Sequence, residues 1–389
     1  MANRNFNSLD KLLTNYVDSN RIAGIVTAIT DGNEILHSLN YGYQDIETKT
    51  KMEWDSIFRI YSMTKPLTSI AAMMQWEEGK FDLDDPVAKF LPSFENTQVL
   101  SPNGKITSAK TPVTIRHILC HTAGITLPAF SDDHLVPLYL EHQLDGMRSK
   151  GNLTSIIDRL GPLPVKHEPG TEWAYSMATD IVARLVEVWS DMPFEEFVSS
   201  RILVPLGMSE TKFQIEPQNA SRVTTNYNIE NGKLGSVIDP GSQSNFLMPP
   251  EFPCGSGGLT STATDYLQFM QMLLNKGELR GTRILNAETL AEMTRNHLDG
   301  DMSQCGAQDF NGANWDGIGF GLGFSVVIDE KKPNLPGSLG EYGWTGAAGT
   351  VFLINPTLQI GAILLTQYMP SRSYPLRQEF RKEIYEALL

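Results

Sequence analysis

Ser62-Met-Thr-Lys65 sets a hydroxyl three residues ahead of an amine, a pair that could make a serine nucleophile with its own base. Leu67, Ile70, Ala71 and Met74 follow at the spacing of a helix with one buried face, and Pro66 is tolerable only in a first turn. The spacing therefore predicts a helix starting near Ser62. Residues three apart share a helix face, so the amine can reach the hydroxyl, and the free N–H groups of the helix start point at any oxygen that turns negative there. Ser8-Leu-Asp-Lys11 and Ser209-Glu-Thr-Lys212 carry the same pattern, but only Ser62 follows a β-like run (Ile57, Phe58, Ile60) and opens a strongly apolar helix. The plainer alternative for Ser62 is a helix-capping serine.

A lysine amine of ordinary pKa, ~10.4, is unprotonated about one time in a thousand near pH 7.4, so such a site needs a second group to share the proton. The candidate is Tyr175 in Glu168-Pro-Gly-Thr-Glu-Trp-Ala-Tyr-Ser-Met177, just ahead of a helix rich in Ile181, Val182, Leu185 and Val186. Its alternative role is a hydrophobic staple for that helix. The third stretch is Tyr342-Gly-Trp-Thr-Gly-Ala-Ala-Gly349, small residues running into a β-branched strand that can lie close to the Ser62 turn and offer a backbone N–H. Tight strand packing is the competing explanation for those glycines. Lys233-Leu-Gly235 and Trp315-Asp-Gly317 are poorer candidates, and Gly255-Ser-Gly-Gly258 reads as structural because a helix cap follows it. His117 and His121, in a short helix capped at Thr114 and closed by Gly124, read as packing or capping residues.

The elements that must position these groups come from both ends of the chain. Asn7 to Tyr16 reads as a surface helix, and Ile22 to Thr30 and Ile35 to Tyr43 flank the turn Asp31-Gly32-Asn33 as a hairpin. Gly319 to Ile328, Thr350 to Asn355 and Gln359 to Gln367 are apolar strands, a helix near Leu376 to Leu389 closes the chain, and Ser261 or Thr262 caps a helix through Leu273. The expected arrangement is an α/β domain of residues 1–87 and 255–389 around an inserted, mainly helical domain of residues 88–254. The loops Phe130 to Lys150 and Asp301 to Asp316 are expected to shape the pocket.

The whole chain sets outer bounds. Its 389 residues can bury about three quarters of their unfolded surface. A net charge of −14 without a Lys/Arg cluster argues against nucleic acid as a partner. No apolar run suits a membrane span or a secretory signal, so a soluble, cytoplasmic protein is expected. Cys120, Cys254 and Cys305 are too few and scattered for a disulfide framework or zinc site, so no metal or cofactor is expected.

Taken together, Ser62-Met-Thr-Lys65, Tyr175-Ser-Met177 and Trp344-Thr-Gly346 resemble the class C β-lactamase and penicillin-binding-protein superfamily, most of all its family VIII carboxylesterases. The likeness covers nearly the whole chain, including Val113 to Gly124, Cys254 to Phe269 and the closing strands. It implies the serine β-lactamase-like α/β sandwich, an antiparallel sheet flanked by helices with a helical insertion. It also implies Ser62 as the acylated nucleophile, Lys65 and Tyr175 as its base pair, and the backbone N–H groups of Ser62 and Ala347 as an oxyanion hole. Trp344 and Gly346, with Met177, would contact substrate. Where that superfamily has Lys-Thr-Gly this chain has Trp344-Thr-Gly346, and where the tyrosine motif ends in Asn it has Met177. Both departures favour neutral esters over carboxylate-bearing β-lactams or peptides. The expected activity is hydrolysis of short acyl or aryl esters through an acyl-enzyme. The alternatives are a β-lactamase or D-amino-acid peptidase and a non-catalytic ligand-binding relative.

Overall fold

In the computed structural model, which describes residues 5–307 and 310–388, the strands predicted near the two chain ends join in one antiparallel sheet. Leu389, expected to end the last helix, and residues 308 and 309 of an expected pocket loop lie outside the described residues. The strands are β1 (Gly24–Thr30), β2 (Ile35–Asp45), β3 (Thr50–Lys51), β4 (Ile318–Phe320), β5 (Ser325–Val327), β6 (Tyr342–Thr345), β7 (Val351–Asn355) and β8 (Ile360–Leu365). Their spatial order is β4-β5-β6-β7-β8-β1-β2-β3, so β8 sits between its hairpin partner β7 and the N-terminal β1. The register pairs Val26 with Leu365 and Thr30 with Gly361. β1 and β8 are buried along their whole length, which explains their unbroken apolar runs.

The predicted segment Gly319 to Ile328 resolves into two short strands, β4 and β5, turned back at Gly321–Phe324. One face of the sheet carries helices α1 (Asn7–Asp18) and α5 (Leu376–Leu388) over a core that includes Leu9, Leu13, Ile25, Leu353, Leu364 and Phe380. The Tyr16 hydroxyl donates to Glu379 (2.5 Å), tying the two helices together.

From the other face α4 (Ala263–Leu274) packs on β1, β7 and β8, and α2 (Thr64–Glu77) packs against α3 (Ala178–Ser190) in the same larger core. The apolar spacing of α2 suggests one buried face, yet every residue from Thr64 to Gln75 is buried. The reason is its place at the centre of the larger core: α3 packs against it, and the backbone from Gly255 to Leu259 runs alongside, with Thr68 donating to Gly255 O (2.7 Å) and Leu259 N–H to Thr64 Oγ1 (3.2 Å). Thr64 and Thr68 are thereby satisfied by backbone rather than by water.

The middle of the chain supplies short helices, but it also holds the strands Asn226–Glu230 and Lys233–Asp239, which form a hairpin joined in parallel to Tyr368–Met369. Arg59, fully buried, bonds this region to the Ser62 turn: it donates to Asp239 Oδ2 (2.6 Å), Thr224 O (2.6 Å) and Gln367 Oε1 (3.2 Å). No helix among the described residues is long and apolar enough to cross a membrane.

Candidate active site

The run before the nucleophile is a two-residue strand, Phe58–Arg59, paired antiparallel with Thr260–Ser261. It delivers the chain into a tight turn, Tyr61–Met63, that leads directly into α2. Tyr61 holds φ at 43°, a left-handed conformation unusual for an aromatic residue and a local strain at the turn that presents Ser62. Ser62 does not cap the helix. The cap position is Met63, without a side-chain bond, and the Ser62 hydroxyl faces two other groups.

Those groups are the ones the spacing singled out. Lys65 Nζ donates to Ser62 Oγ (3.3 Å), and the Tyr175 hydroxyl donates to the same oxygen (2.5 Å). Lys65 Nζ also lies 4.4 Å from the centroid of the Tyr175 ring, so all three groups share one small space. Lys65 is buried, and its second partner is Ser256 O at 2.7 Å. The Gly255-Ser-Gly-Gly258 segment thus does more than pack: its carbonyl aims the lysine.

Behind that carbonyl stands Asp180, which the reading of the sequence passed over. It occupies the first turn of α3, accepts from Ser256 N–H (3.0 Å), Ser256 Oγ (2.8 Å) and Cys254 Sγ (3.3 Å), and is fully buried. Burial raises its pKa, opposed by the Ser256 hydroxyl bond and the nearby Lys65 charge. A carboxylate within the aliphatic run of α3 was the available signal. Burial likewise pushes the Cys254 thiol well up, leaving it a protonated donor to Asp180.

Tyr175 stands in an aromatic box. Its ring centroid is 4.7 Å from that of Phe310, 5.3 Å from His121, 5.8 Å from Phe130 and 5.9 Å from Trp344. His117 accepts the Thr114 N–H at the cap of its short helix, as expected of a capping residue. That helix ends at Leu119 with His121 in the left-handed conformation (φ 58°), before Gly124 is reached. His121 bonds to Ser176 Oγ (2.9 Å) rather than to the nucleophile, and burial holds its pKa well below the usual histidine range.

The strand β6 completes the site. Ser62, Tyr175, Trp344, Gly346 and Ala347 line one cavity of about 20 Å³, with Phe130 and Phe310 from the loops expected to shape it. Gly346 is there for a steric reason: a Cβ would come within 2.4 Å of Ile60 O and 2.2 Å of Thr350 Oγ1. Only glycine lets the β6–β7 loop lie this close to the Ser62 turn. Met177 departs from expectation. It is fully buried at the start of α3, its N–H donates to Thr126 O (3.3 Å), and it does not reach this cavity. A residue two places after Tyr175 turns inward because the helix begins at Ala178.

Trp315 belongs to the poorer candidate for the third element, Trp315-Asp-Gly317. It instead stacks on Trp344 at 6.0 Å and lines the adjoining cavity. Arg377, in the first turn of α5, also lines the Ser62 cavity, so the site has a cation despite the tryptophan at position 344. Among the described residues no group of three or more His, Cys, Asp or Glu side chains is placed to hold a metal.

Comparison with known proteins supplies the lineage. The chain is 33% identical over 366 residues to Protein Rv1367c of Mycobacterium tuberculosis, covering 92% of this chain and 88% of that one. It is 27% identical over 393 residues to Esterase EstB of Burkholderia gladioli, covering 97% of this chain and 94% of the esterase. Among solved structures it is similar to EstCE1, described as a hydrolase with promiscuous acyltransferase activity, at a TM-score of 0.83 and 26% identity over 97% of both chains. The simvastatin synthase LovD of Aspergillus terreus shares the fold at a TM-score of 0.79 and 22% identity, over 98% of this chain and 96% of that one. The family model described as Beta-lactamase matches residues 9–386, so the chain belongs to the beta-lactamase family and is a serine hydrolase of that fold, with esterases among its relatives.

Proposed function

We propose that the protein is a carboxylesterase that hydrolyses short-chain acyl or aryl esters through an acyl-enzyme on Ser62. The observation that carries this reading is the convergence of Lys65 Nζ and the Tyr175 hydroxyl on Ser62 Oγ, at 3.3 and 2.5 Å. With the Lys65 amine taking the Tyr175 proton, the Tyr175 oxygen takes the proton of Ser62 along the short contact, and the lysine returns its proton to the tyrosine when the alcohol leaves. The freed oxygen attacks the ester carbonyl, and the negative oxygen of the tetrahedral adduct turns to the backbone N–H groups of Ser62 and Ala347. Each such donor is worth about 3–4 kcal/mol where the charge develops in a dry site. Collapse of the adduct expels the alcohol, which recovers the proton from Tyr175. Water then repeats the sequence on the acyl-enzyme.

Trp344 and Gly346 contribute a wall and a close approach. The small volume beside Ser62 and its walls of Phe130, Phe310 and Trp344 favour a short acyl group. Hydrolysis of 4-nitrophenyl acetate by the wild type and its loss in Ser62→Ala test the reading. Activity that survives the substitution would refute the nucleophile. Turnover of a chromogenic cephalosporin above that of every ester tested would favour the β-lactamase alternative. A second outcome has its own support: EstCE1 is described as having acyltransferase activity, and an alcohol that replaces water in the second half-reaction would give transfer in place of hydrolysis.

A further inference from the structure

The short strand that leads to Ser62 is held on its outer edge by a side chain. In an antiparallel pair, successive residues turn their N–H and C=O groups alternately to the partner and away from it. Ile60 N–H turns to Leu259 O (3.2 Å), on the side of Thr260–Ser261, so the N–H and C=O of Arg59 face the opposite way. Along that outer edge Ile57 bonds backbone, Arg222 O at 2.8 Å and Thr224 N–H at 3.0 Å. At Arg59 the place of a strand is taken by Gln367. Arg59 N–H donates to Gln367 Oε1 (3.3 Å), and Gln367 Nε2 donates to Arg59 O (3.1 Å). A carboxamide can do this because it carries both a donor and an acceptor, like the peptide it replaces. Gln367 is buried, its Oε1 also accepts from Arg59 Nη1 (3.2 Å), and its Nε2 also donates to Thr366 O (2.8 Å), which fixes the orientation of the amide.

The residues on either side of Gln367 hold the opposite wall of the site. Tyr368 N–H donates to Ala348 O (3.2 Å). Gly349, in the left-handed region at φ 88°, lies so close that an added Cβ would stand 2.5 Å from Tyr368 Cε1 and 2.8 Å from Thr366 Cγ2. The loop that carries Ala347 is therefore seated on Thr366 and Tyr368, while Ser62 and Ala347 line one cavity. A segment just past β8 thus grips the nucleophile strand with one side chain and the facing loop with its neighbours.

We propose that Gln367 is a positioning residue for the oxyanion hole: its carboxamide fixes the Ser62 turn relative to the Ala347 loop and so sets the distance between the two backbone donors. This rests on the esterase reading, which gives those donors their oxyanion, and adds the element that holds them in register. Gln367 does not line the Ser62 cavity. It acts through Arg59 on one side and through Ala348 on the other.

Affinity for a tetrahedral adduct, set against affinity for a planar ketone of the same skeleton, reads the spacing of the donors apart from general damage. Calorimetry on the intact protein compares 1,1,1-trifluoro-4-phenylbutan-2-one with 4-phenylbutan-2-one. Ser62 Oγ adds to the carbonyl carbon of the first, the C=O electron pair becomes the oxyanion, and the Ser62 proton passes to the Tyr175–Lys65 pair. The second stays a ketone. Gln367→Met keeps the length of the side chain and loses both backbone bonds. The trifluoroketone preference is expected to fall about 10²-fold in this variant, the scale of an ångström misplacement or a lost oxyanion donor, and acylation by 4-nitrophenyl acetate should slow by a similar factor. Gln367→Glu keeps the acceptor for Arg59 N–H and loses only the donor, so it should retain part of the preference. Gln271→Met, the same change at a buried glutamine of α4 that bonds Thr30 Oγ1 (3.3 Å), should lower the melting temperature and leave the preference unchanged.

An unchanged preference in Gln367→Met, including one in which both ketones weaken together, would overturn the proposal. So would a wild type that binds both ketones alike, or an equal fall in Gln271→Met. If Gln367→Met fails to fold, the preference in Gln367→Glu decides. A wild-type preference that Gln367→Met abolishes, without turnover of any ester, would leave the positioning role standing and remove the esterase reading. Ester turnover lost in Ser62→Ala, with a preference that Gln367→Met does not move, would do the opposite.

Discussion

The hydroxyls of Ser62 and Tyr175 lie 2.5 Å apart although 113 residues separate them in the chain. Lys65 touches both, as a donor to Ser62 Oγ and as a cation 4.4 Å from the Tyr175 ring centroid. If the pair works as one proton-handling unit, Tyr175→Phe and Lys65→Ala should each lower kcat/KM by at least ~10²-fold, the low end for general-base catalysis. The double variant should lose far less than the product of the single losses. Near wild-type acylation by Tyr175→Phe would reduce the tyrosine to a packing residue.

Asp180 is expected to act through Ser256 rather than on substrate. In Asp180→Ala, Ser256 N–H, Ser256 Oγ and Cys254 Sγ lose their buried acceptor. A loss of about 1–3 kcal/mol in denaturant stability should follow. Movement of Ser256 O away from Lys65 should lower kcat/KM by up to about 10²-fold, the scale of an ångström misplacement. Asp180→Asn keeps an acceptor and should recover most of both. Equal damage in the two variants would show that the charge, and not the hydrogen bonds, is what counts.

Gly346→Ala places a Cβ 2.4 Å from Ile60 O and 2.2 Å from Thr350 Oγ1. The loop must lift from the Ser62 turn, at about 1–3 kcal/mol for an overpacked site. Activity should fall more than stability, because the same movement carries Ala347 away. A variant with an unchanged melting temperature and full activity would rule out the close approach.

Burial lowers the pKa of His117, His121, His167 and His297. Between the folded values and the ordinary value near ~6.5 the unfolded chain binds more protons than the folded one, so stability rises with pH through that window. The histidine contribution is fully present above about pH 6.5 and is lost as pH falls towards the folded pKa values. Melting temperature should therefore drop from about pH 7.5 to about pH 5.5. His121→Asn, which suits the left-handed backbone at that position, should flatten the drop. An unchanged slope would locate the dependence in the other three.

Local chemistry explains what could be read in the sequence. Ser62 and Lys65 are three apart on a turn that their neighbours make helical, and β1, β2, β7 and β8 announce themselves through apolar runs and the turns between them. Trp344 and Gly346 were legible because small residues before a strand allow one backbone to approach another. The parts that were hidden are long-range. Nothing near Asp180 reveals that Ser256 will fold onto it, and nothing in an amphipathic last helix reveals that Arg377 will face the cavity at Ser62. Met177 is the opposite case: its place in a motif suggests a substrate contact, while the side chain is buried at the start of α3 and is not among the residues lining the Ser62 cavity.

The pairing of β1 with β8 also has a consequence for the order in which the protein can be made. Residues 24–30 leave the ribosome early, yet the neighbour that completes their hydrogen bonding is residues 360–365, and the wall bearing Arg377 comes later still. The first strand must wait beside β2 with one edge open while most of the chain is synthesised, a state prone to wrong pairing and a reason for slow folding in a topology of such distant contacts. Ser62 and Lys65 are neighbours from the moment their turn forms, but Gly346, Ala347 and Arg377, which line the same cavity, arrive only with the later strands and the last helix. The cavity around Ser62 therefore cannot be complete until Arg377 has been made.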